Sequence, residues 1–127
     1  MRERQTLFRA YCDAWLKRDG SRLGDFFADH VVYIESDGSR YEGLNAIRDW
    51  FSQWLLHGDV LLWRVHRYTH QGRVMIAEWT FRCRYDGTES LFDGVSVVDF
   101  DNDGKIIRLR EYAGQLPGSS ASAAVKL

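Results

Sequence analysis

Apolar and polar residues alternate along the last third of the chain, in three runs separated by short polar clusters. The first run begins at Arg73, the second follows the Tyr-Asp-Gly cluster 85–87, and the third follows the Asp-Asn-Asp-Gly cluster 101–104. Two alternating runs on either side of an Asp-Gly turn are a strong sequence signal for a β-hairpin. The pattern therefore predicts an antiparallel meander of three strands that ends at Tyr112.

The alternation also predicts that the two faces of this sheet differ. In the first run one face is almost wholly apolar and consists of Met75, Ala77, Trp79, Phe81, Cys83 and Tyr85. The opposite face mixes charged residues with an apolar group formed by Val74, Ile76, Val95 and Val97. A mixed face of this kind is often covered by another subunit. We therefore expect a homodimer that forms through the sheet face.

Before the meander, apolar residues recur with the spacing i, i+3, i+4 and i+7, which predicts amphipathic helices. The predicted helices span Arg4–Lys17, Ser21–Ala28 and Leu44–Leu56, and the predicted early strands span His30–Glu35 and Asp59–His70. Helices that come early and strands that come late indicate the α+β class. We expect a strongly curved antiparallel sheet wrapped around the three N-terminal helices, with an internal apolar cavity.

Length and charge limit the classes of function. A chain of 127 residues is long enough for one domain with a core, which we expect at residues 1–114. Residues 115–127 are rich in Gly, Ser and Ala and predict a flexible C-terminal tail. The formal net charge of -1 gives no reason to expect nucleic acid or a membrane as a partner. Without an apolar N-terminal signal segment, the expected location is cytoplasmic.

The sequence predicts no metal site and no cofactor. Residues 99–104 match the first half of a calcium-binding loop, but Arg110 stands where such a loop needs its glutamate. His66 and His70 would lie roughly 13 Å apart on a strand, too far to share a metal ion. The phosphate-binding and dinucleotide-binding glycine motifs are absent from the sequence.

Three stretches of the sequence carry a family resemblance: AYCDAWLKRDGSRLGDFFADHVVYIE, YEGLNAIRDWF and FDGVSVVDFDNDGKIIRLREY. With them the chain resembles the NTF2-like superfamily, in particular its SnoaL-like and ketosteroid-isomerase-like branches, over residues 5 to 114. The resemblance implies an NTF2-like cone fold. The superfamily contains isomerases, cyclases, dehydratases, hydrolases and non-catalytic domains, so the fold alone does not decide the activity.

The resemblance assigns candidate catalytic roles to three residues. Glu35 ends the first strand, where ketosteroid-isomerase-like enzymes carry the carboxylate that moves the proton. Burial beside aromatic side chains would raise its pKa toward neutrality, as a general base or acid requires; the alternative is a surface glutamate at a strand end. The resemblance also implies two oxyanion donors, a tyrosine on the first helix and a protonated carboxylic acid on a late strand. Tyr11 and Ser96 stand at those positions, and the hydroxyl of Ser96 is a far weaker acid than a carboxylic acid.

Seven further residues are expected to contact a substrate, most of them aromatic: Trp15, Tyr33, Trp50, Trp54, Trp79, Phe92 and Glu111. Glu111 shares an otherwise apolar strand face, so it could reach the cavity. Alternatively, it forms a structural ion pair with Arg108 or Arg110.

The leading hypothesis is a cofactor-free acid-base enzyme of the isomerase, cyclase or dehydratase type. Its substrate would be an apolar small molecule that contains a carbonyl group. A second hypothesis is a protein that binds an apolar ligand in the same cavity without moving a proton. A third is a dimeric association domain that uses the outer sheet face.

Overall fold

The structure is a computed structural model that describes residues 1–115. Its helices are α1 (Arg2–Leu16), α2 (Leu23–Phe26) and α3 (Leu44–His57). Its strands are β1 (Phe27–Ile34), β2 (Arg40–Glu42), β3 (Gly58–Gln71), β4 (Val74–Tyr85), β5 (Thr88–Phe100) and β6 (Ile106–Gln115). The predicted tail lies outside the described residues except for Gln115, which ends β6.

The meander follows the sequence pattern closely. Asp86 and Gly87 connect β4 to β5 with φ angles of 48° and 83°. Two successive positive φ angles are typical of a type I′ turn. The backbone twist of such a turn matches the twist of the two strands that it connects in a two-residue hairpin. Tyr85 pairs directly with Thr88 across this turn, so the turn sets the register of the whole hairpin.

The six strands form one curved, unclosed sheet in the order β2-β1-β6-β5-β4-β3. Four of the five strand pairs are antiparallel, whereas β1 lies parallel to β6. The architecture confirms the predicted α+β cone. The parallel pair was not predicted, because a local alternation of residues does not indicate which distant strand becomes the neighbour.

Two early elements differ from the sequence prediction. The predicted helix 21–28 is shortened to Leu23–Phe26, because Phe27 already pairs with Ile106 as the first residue of β1. Strand β2 was missed, since three residues are too few to give a periodic signal. It returns on β1 after the turn 36–39 and pairs Tyr41 with Tyr33.

The helices cover the concave face of the sheet. Helix α1 packs against β3, and α3 packs against β1 and β2. The core between these layers is strongly aromatic, with Phe8, Tyr11, Phe27, Tyr33 and Phe100 fully buried. No helix within residues 1–115 is long and apolar enough to cross a membrane.

A candidate active site with two carboxyl groups

A cavity of about 170 Å³ lies between the helices and the concave face of the sheet. Every secondary-structure element of the fold except α2 and β2 contributes to its wall. The lining residues are Trp15, Tyr33, Glu35, Ser36, Trp50, Trp54, Val60, Trp63, Trp79, Phe81, Cys83, Phe92 and Glu111. All five tryptophans of the chain are among them.

Two groups of rings form most of the wall. On the helix side, the ring centroid of Trp15 lies 5.1 Å from that of Trp50 and 5.3 Å from that of Trp54. On the sheet side, Trp63, Trp79, Phe81 and Phe92 pack on one another with centroid distances of 5.3 to 6.3 Å. Edge-to-face and tilted contacts of this kind are favourable geometries for aromatic pairs. The cavity wall is therefore built largely from rings that pack on one another.

A chain of hydrogen bonds runs from the core to the cavity. The Tyr11 hydroxyl donates to the Tyr33 hydroxyl over 2.7 Å, and the Tyr33 hydroxyl donates to Glu111 Oε2 over 2.5 Å. Both tyrosines are fully buried. We call this the Tyr11–Tyr33–Glu111 chain. It joins α1, β1 and β6, and only its last member carries an acidic group at the cavity.

Glu111 is the most strongly perturbed carboxyl group that lines the cavity. Burial raises its pKa to about 8, and the negative charges of Glu35 and Asp37 act in the same direction. The hydrogen bond from Tyr33 acts in the opposite direction, because it stabilises the carboxylate. Glu111 therefore carries a proton over much of the neutral pH range, as an acid that donates to a ligand must.

Glu35 is the second carboxyl group of the cavity and is held by strand β2. Its Oε1 accepts a hydrogen bond of 2.7 Å from the Tyr41 hydroxyl. Burial raises the pKa of Glu35, the bond from Tyr41 lowers it, and the charge of Asp37 raises it. The Tyr41 ring also stacks on Trp50, with centroids 4.6 Å apart. Tyr41 thus fixes both Glu35 and one wall of the cavity.

Of the three residues that were candidates for catalysis, only Glu35 lines the cavity. Tyr11 lies behind Tyr33 and reaches Glu111 only through it. Ser96 is fully buried, and its Oγ accepts a 3.0 Å hydrogen bond from Trp79 Nε1. This bond fixes the Trp79 ring, so the hydroxyl of Ser96 supports the wall and does not face a ligand.

All seven residues expected to contact a substrate line the cavity. For Glu111, the described part of the chain contains the hydrogen bond to Tyr33 and no ion pair with Arg108 or Arg110. The guanidinium of Arg110 lies 5.0 Å from the ring centroid of Tyr112 instead.

Sequence reasoning missed Tyr41, and a usable signal was present. Glu35 and Tyr41 are separated by the turn 36–39, in which Gly38 has a φ angle of 90°. A glycine at such a position, next to Asp37, is typical of a turn between paired strands. A hairpin across that turn would have put Tyr41 beside the end of β1.

The high pKa of Glu111 makes the stability of the fold depend on pH. An unfolded glutamate has a pKa of about 4.3, so the folded state binds this proton more tightly. The resulting stabilisation is complete below the unfolded pKa and is lost as the pH rises through about 8. Between about pH 5 and pH 8 this group should lower the free energy of unfolding by up to about 1.4 kcal/mol per pH unit.

The variant Glu111→Gln stays neutral, so its unfolding free energy should fall less steeply over that range. Urea denaturation at a series of pH values measures both slopes. Glu3→Gln is the matched control, because Glu3 is exposed at the start of α1 and does not line the cavity. Equal slopes for the wild-type protein and Glu111→Gln would contradict the assignment of the raised pKa to Glu111.

Comparison with known proteins agrees with the fold. The family model for the SnoaL-like domain matches residues 8–109. Among curated proteins, none matches the chain in sequence. An LEH-like epoxide hydrolase from M. tuberculosis superposes with a TM-score of 0.78 and 20% identity, over 88% of this chain and 83% of that one.

Two further solved structures are similar at comparable levels. A candidate SnoaL-like polyketide cyclase from Shewanella denitrificans has a TM-score of 0.74 and 15% identity, over 87% of this chain and 90% of that one. A Catenulispora acidiphila protein of ketosteroid-isomerase-like fold, solved in complex with trimethylamine, has a TM-score of 0.73 and 18% identity. The match covers 95% of this chain and 92% of that one. At such identities these structures establish the fold alone. Because the family model spans most of the chain, the protein belongs to the SnoaL-like family of the NTF2-like superfamily.

Proposed function

We propose that the protein is a cofactor-free acid-base enzyme that moves a proton on a small carbonyl compound. The observation that carries this proposal is the presence of two carboxyl groups, Glu35 and Glu111, in one aromatic cavity where burial raises the pKa of both. Two titratable groups with different environments are a common arrangement for an acid and a base that work together.

In the proposed reaction Glu35 is the base. Its carboxylate removes a proton from the carbon next to the carbonyl group, and the electron pair of that C–H bond forms a C=C bond. The carbonyl oxygen thereby becomes an enolate oxygen. Where the substrate is a β,γ-unsaturated carbonyl compound, Glu35 then returns the proton to its γ-carbon. The double bond moves to the α,β position and the C=O bond re-forms, which gives an isomer of the substrate. General base catalysis of this kind typically contributes about 10²–10⁴-fold to a rate.

Glu111 is the acid that stabilises the enolate oxygen. While protonated, it can donate a hydrogen bond to that oxygen, because Tyr33 occupies only its Oε2 atom. Donors that meet the developing charge stabilise the transition state more than the substrate. The Tyr11–Tyr33–Glu111 chain adjusts the strength of this acid, since the bond from Tyr33 lowers the pKa of Glu111.

This proposal also accounts for the position of Ser96. The resemblance implied an acid on the late strand at Ser96, and a serine hydroxyl is a far weaker acid. Glu111 is the residue paired with Ser96 on the neighbouring strand. In this proposal the acid of the site is therefore supplied by β6 in place of β5.

Cavity size limits the substrate. The volume of about 170 Å³ is similar to that of an engineered cavity of about 150 Å³ that binds benzene. The reacting part of the substrate should therefore be about the size of one ring.

Exchange of carbon-bound protons in D₂O tests the proposal without knowledge of the product. We expect the protein to accelerate the loss of the α-proton NMR signal for at least one member of a panel of small cyclic and aryl ketones. The rate should rise with pH as Glu35 loses its proton and fall through about pH 8 as Glu111 loses its own. The absence of protein-dependent exchange across the panel would favour the alternative, a cavity that only binds a ligand.

Association through the outer sheet face stays a prediction. That face carries ion pairs across neighbouring strands, including Arg67 with Glu78 at 2.6 Å and Arg82 with Glu89 at 2.5 Å. It also carries the partly buried residues Ile76, Val95 and Val97. A homodimer would cover this face and leave the cavity, on the opposite side of the sheet, accessible.

A further inference from the structure

The cavity combines aromatic rings with acidic groups and lacks basic ones. Its described lining contains five indole rings and two carboxyl groups, and no lysine, arginine or histidine. The negative faces of aromatic rings attract cations, and tryptophan does so most strongly. A positive charge inside the cavity would therefore meet favourable partners on several sides.

The two carboxyl groups have neutral partners. The hydrogen-bond partner of Glu35 is the Tyr41 hydroxyl, and that of Glu111 is the Tyr33 hydroxyl. Both side chains are half-buried. A carboxylate that is partly removed from water is stabilised by a nearby cation or by several donors. Within residues 1–115, the protein supplies no counter-ion to this pair.

Arginines of the neighbouring strands make their contacts elsewhere. Arg40 binds Glu42 with an N–O distance of 2.7 Å, and Arg84 binds Glu89 with a distance of 3.2 Å. Neither of these two arginines lines the cavity. A cationic ligand in the cavity could therefore pair with the carboxyl groups without competition from a basic side chain in its lining.

We propose that the cavity binds small organic ammonium ions, namely tertiary or quaternary amines with an apolar body. The indole rings would surround the N-methyl groups, and Glu35 and Glu111 would balance the charge. The proposal concerns the same cavity as the acid-base function, but it requires no transfer of a proton to or from carbon. It also adds a property to that site: inhibitors that carry a positive nitrogen are selected over neutral ones of the same shape.

Binding of such an ion is expected to release a proton. In the free protein Glu111 is largely protonated at neutral pH, and a cation beside it favours the carboxylate. A neutral ligand of equal size has no such effect. Proton release therefore separates recognition of charge from recognition of shape.

Titration calorimetry with choline and its neutral isostere, 3,3-dimethylbutan-1-ol, tests the proposal on the wild-type protein. We expect choline to bind at least about tenfold more tightly. Its apparent enthalpy at pH 7 should differ between phosphate and Tris buffers in proportion to the released proton, and that of the alcohol should not. Equal affinity for both compounds, or binding of neither, would overturn the proposal.

Glu35→Gln tests the role of charge within the site. The variant should lose about tenfold or more in affinity for choline and keep its affinity for the neutral alcohol. Glu3→Gln removes one negative charge from the exposed end of α1 and should change neither affinity. An unchanged affinity of Glu35→Gln for choline would overturn the assignment of Glu35. Should this variant not fold, the comparison of the two ligands on the wild-type protein still decides the question.

The two proposals fail in different experiments. If the protein binds choline but accelerates proton exchange in none of the ketones, the ammonium-binding proposal is supported and the enzyme proposal is contradicted. If the protein accelerates exchange but does not prefer choline to the neutral alcohol, the enzyme proposal is supported and the ammonium-binding proposal is contradicted.

Discussion

Replacement of Glu35 by glutamine is expected to slow the protein-dependent exchange of α-protons by a factor of about 10²–10⁴. The amide has nearly the shape of the carboxylate, and it can still accept the hydrogen bond from Tyr41. It cannot take up a proton from carbon. The loss should therefore appear in kcat, the exchange rate at saturating ketone. KM, the ketone concentration that gives half of that rate, should change little. Exchange measured by NMR in D₂O gives both quantities.

Tyr41→Phe provides the matched control for this prediction. It removes the hydroxyl that donates to Glu35 and leaves both the carboxylate and the ring that stacks on Trp50. Loss of that donor raises the pKa of Glu35, so the rising limb of the pH profile should move to higher pH while exchange persists. An unchanged exchange rate in Glu35→Gln, with a loss in Glu111→Gln, would mean that Glu111 is the base.

The sequence was informative for most features that depend on near neighbours, strand β2 being an exception. Alternation and the Asp-Gly turn were sufficient to predict the hairpin of β4 and β5, since Tyr85 and Thr88 pair directly across two residues. The family resemblance made Glu35 a candidate, because it ends the predicted first strand. Helices α1 and α3 followed from their apolar stripes, because each covers the sheet with one face.

The link between Tyr33 and Glu111 could not be predicted in the same way. These residues are 78 positions apart, and they meet because Tyr33 pairs with Leu109 in the parallel contact of β1 with β6. Nothing in either strand specifies that pairing locally. The cost of ordering such distant segments is met by the whole core, so the contact is a property of the complete fold.

An irregularity in β6 also limited the prediction of its inner face. Strict alternation assigns Ile107 and Leu109 to the same side. In the structure Asp99 pairs with Arg108 and Phe100 with Ile106, so the register shifts at Ile107. As a result Ile106 is fully buried and Ile107 is exposed. β-Bulges of this kind re-aim side chains, and a period-2 pattern does not reveal them.

Gly94 is the position in β5 where a small substitution should have the largest effect on the cavity. A Cβ atom there would lie 2.5 Å from the Tyr112 carbonyl oxygen and 2.7 Å from Trp79 Cζ3, and closer still to Cη2 of the same ring. Real Cβ atoms do not make such contacts, so Trp79 or the strand has to move. Trp79 cannot turn freely, because its Nε1 is bonded to the buried Ser96.

We therefore expect Gly94→Ala to destabilise the protein by about 1–3 kcal/mol, the usual cost of overpacking a core. Displacement of the Trp79 ring into a cavity of about 170 Å³ should also abolish ligand binding. Urea denaturation measures the first effect, and titration calorimetry with the best ligand measures the second.

Gly114→Ala is the matched control, because Gly114 lies on the neighbouring strand β6 and has no atom within 4 Å of an added Cβ. This change should alter the stability by no more than about 0.5 kcal/mol and leave binding intact. Equal stability and equal ligand affinity of the two variants would mean that Trp79 is not held against β5. The packing of Trp79 in the sheet-side wall of the cavity would then need a different explanation.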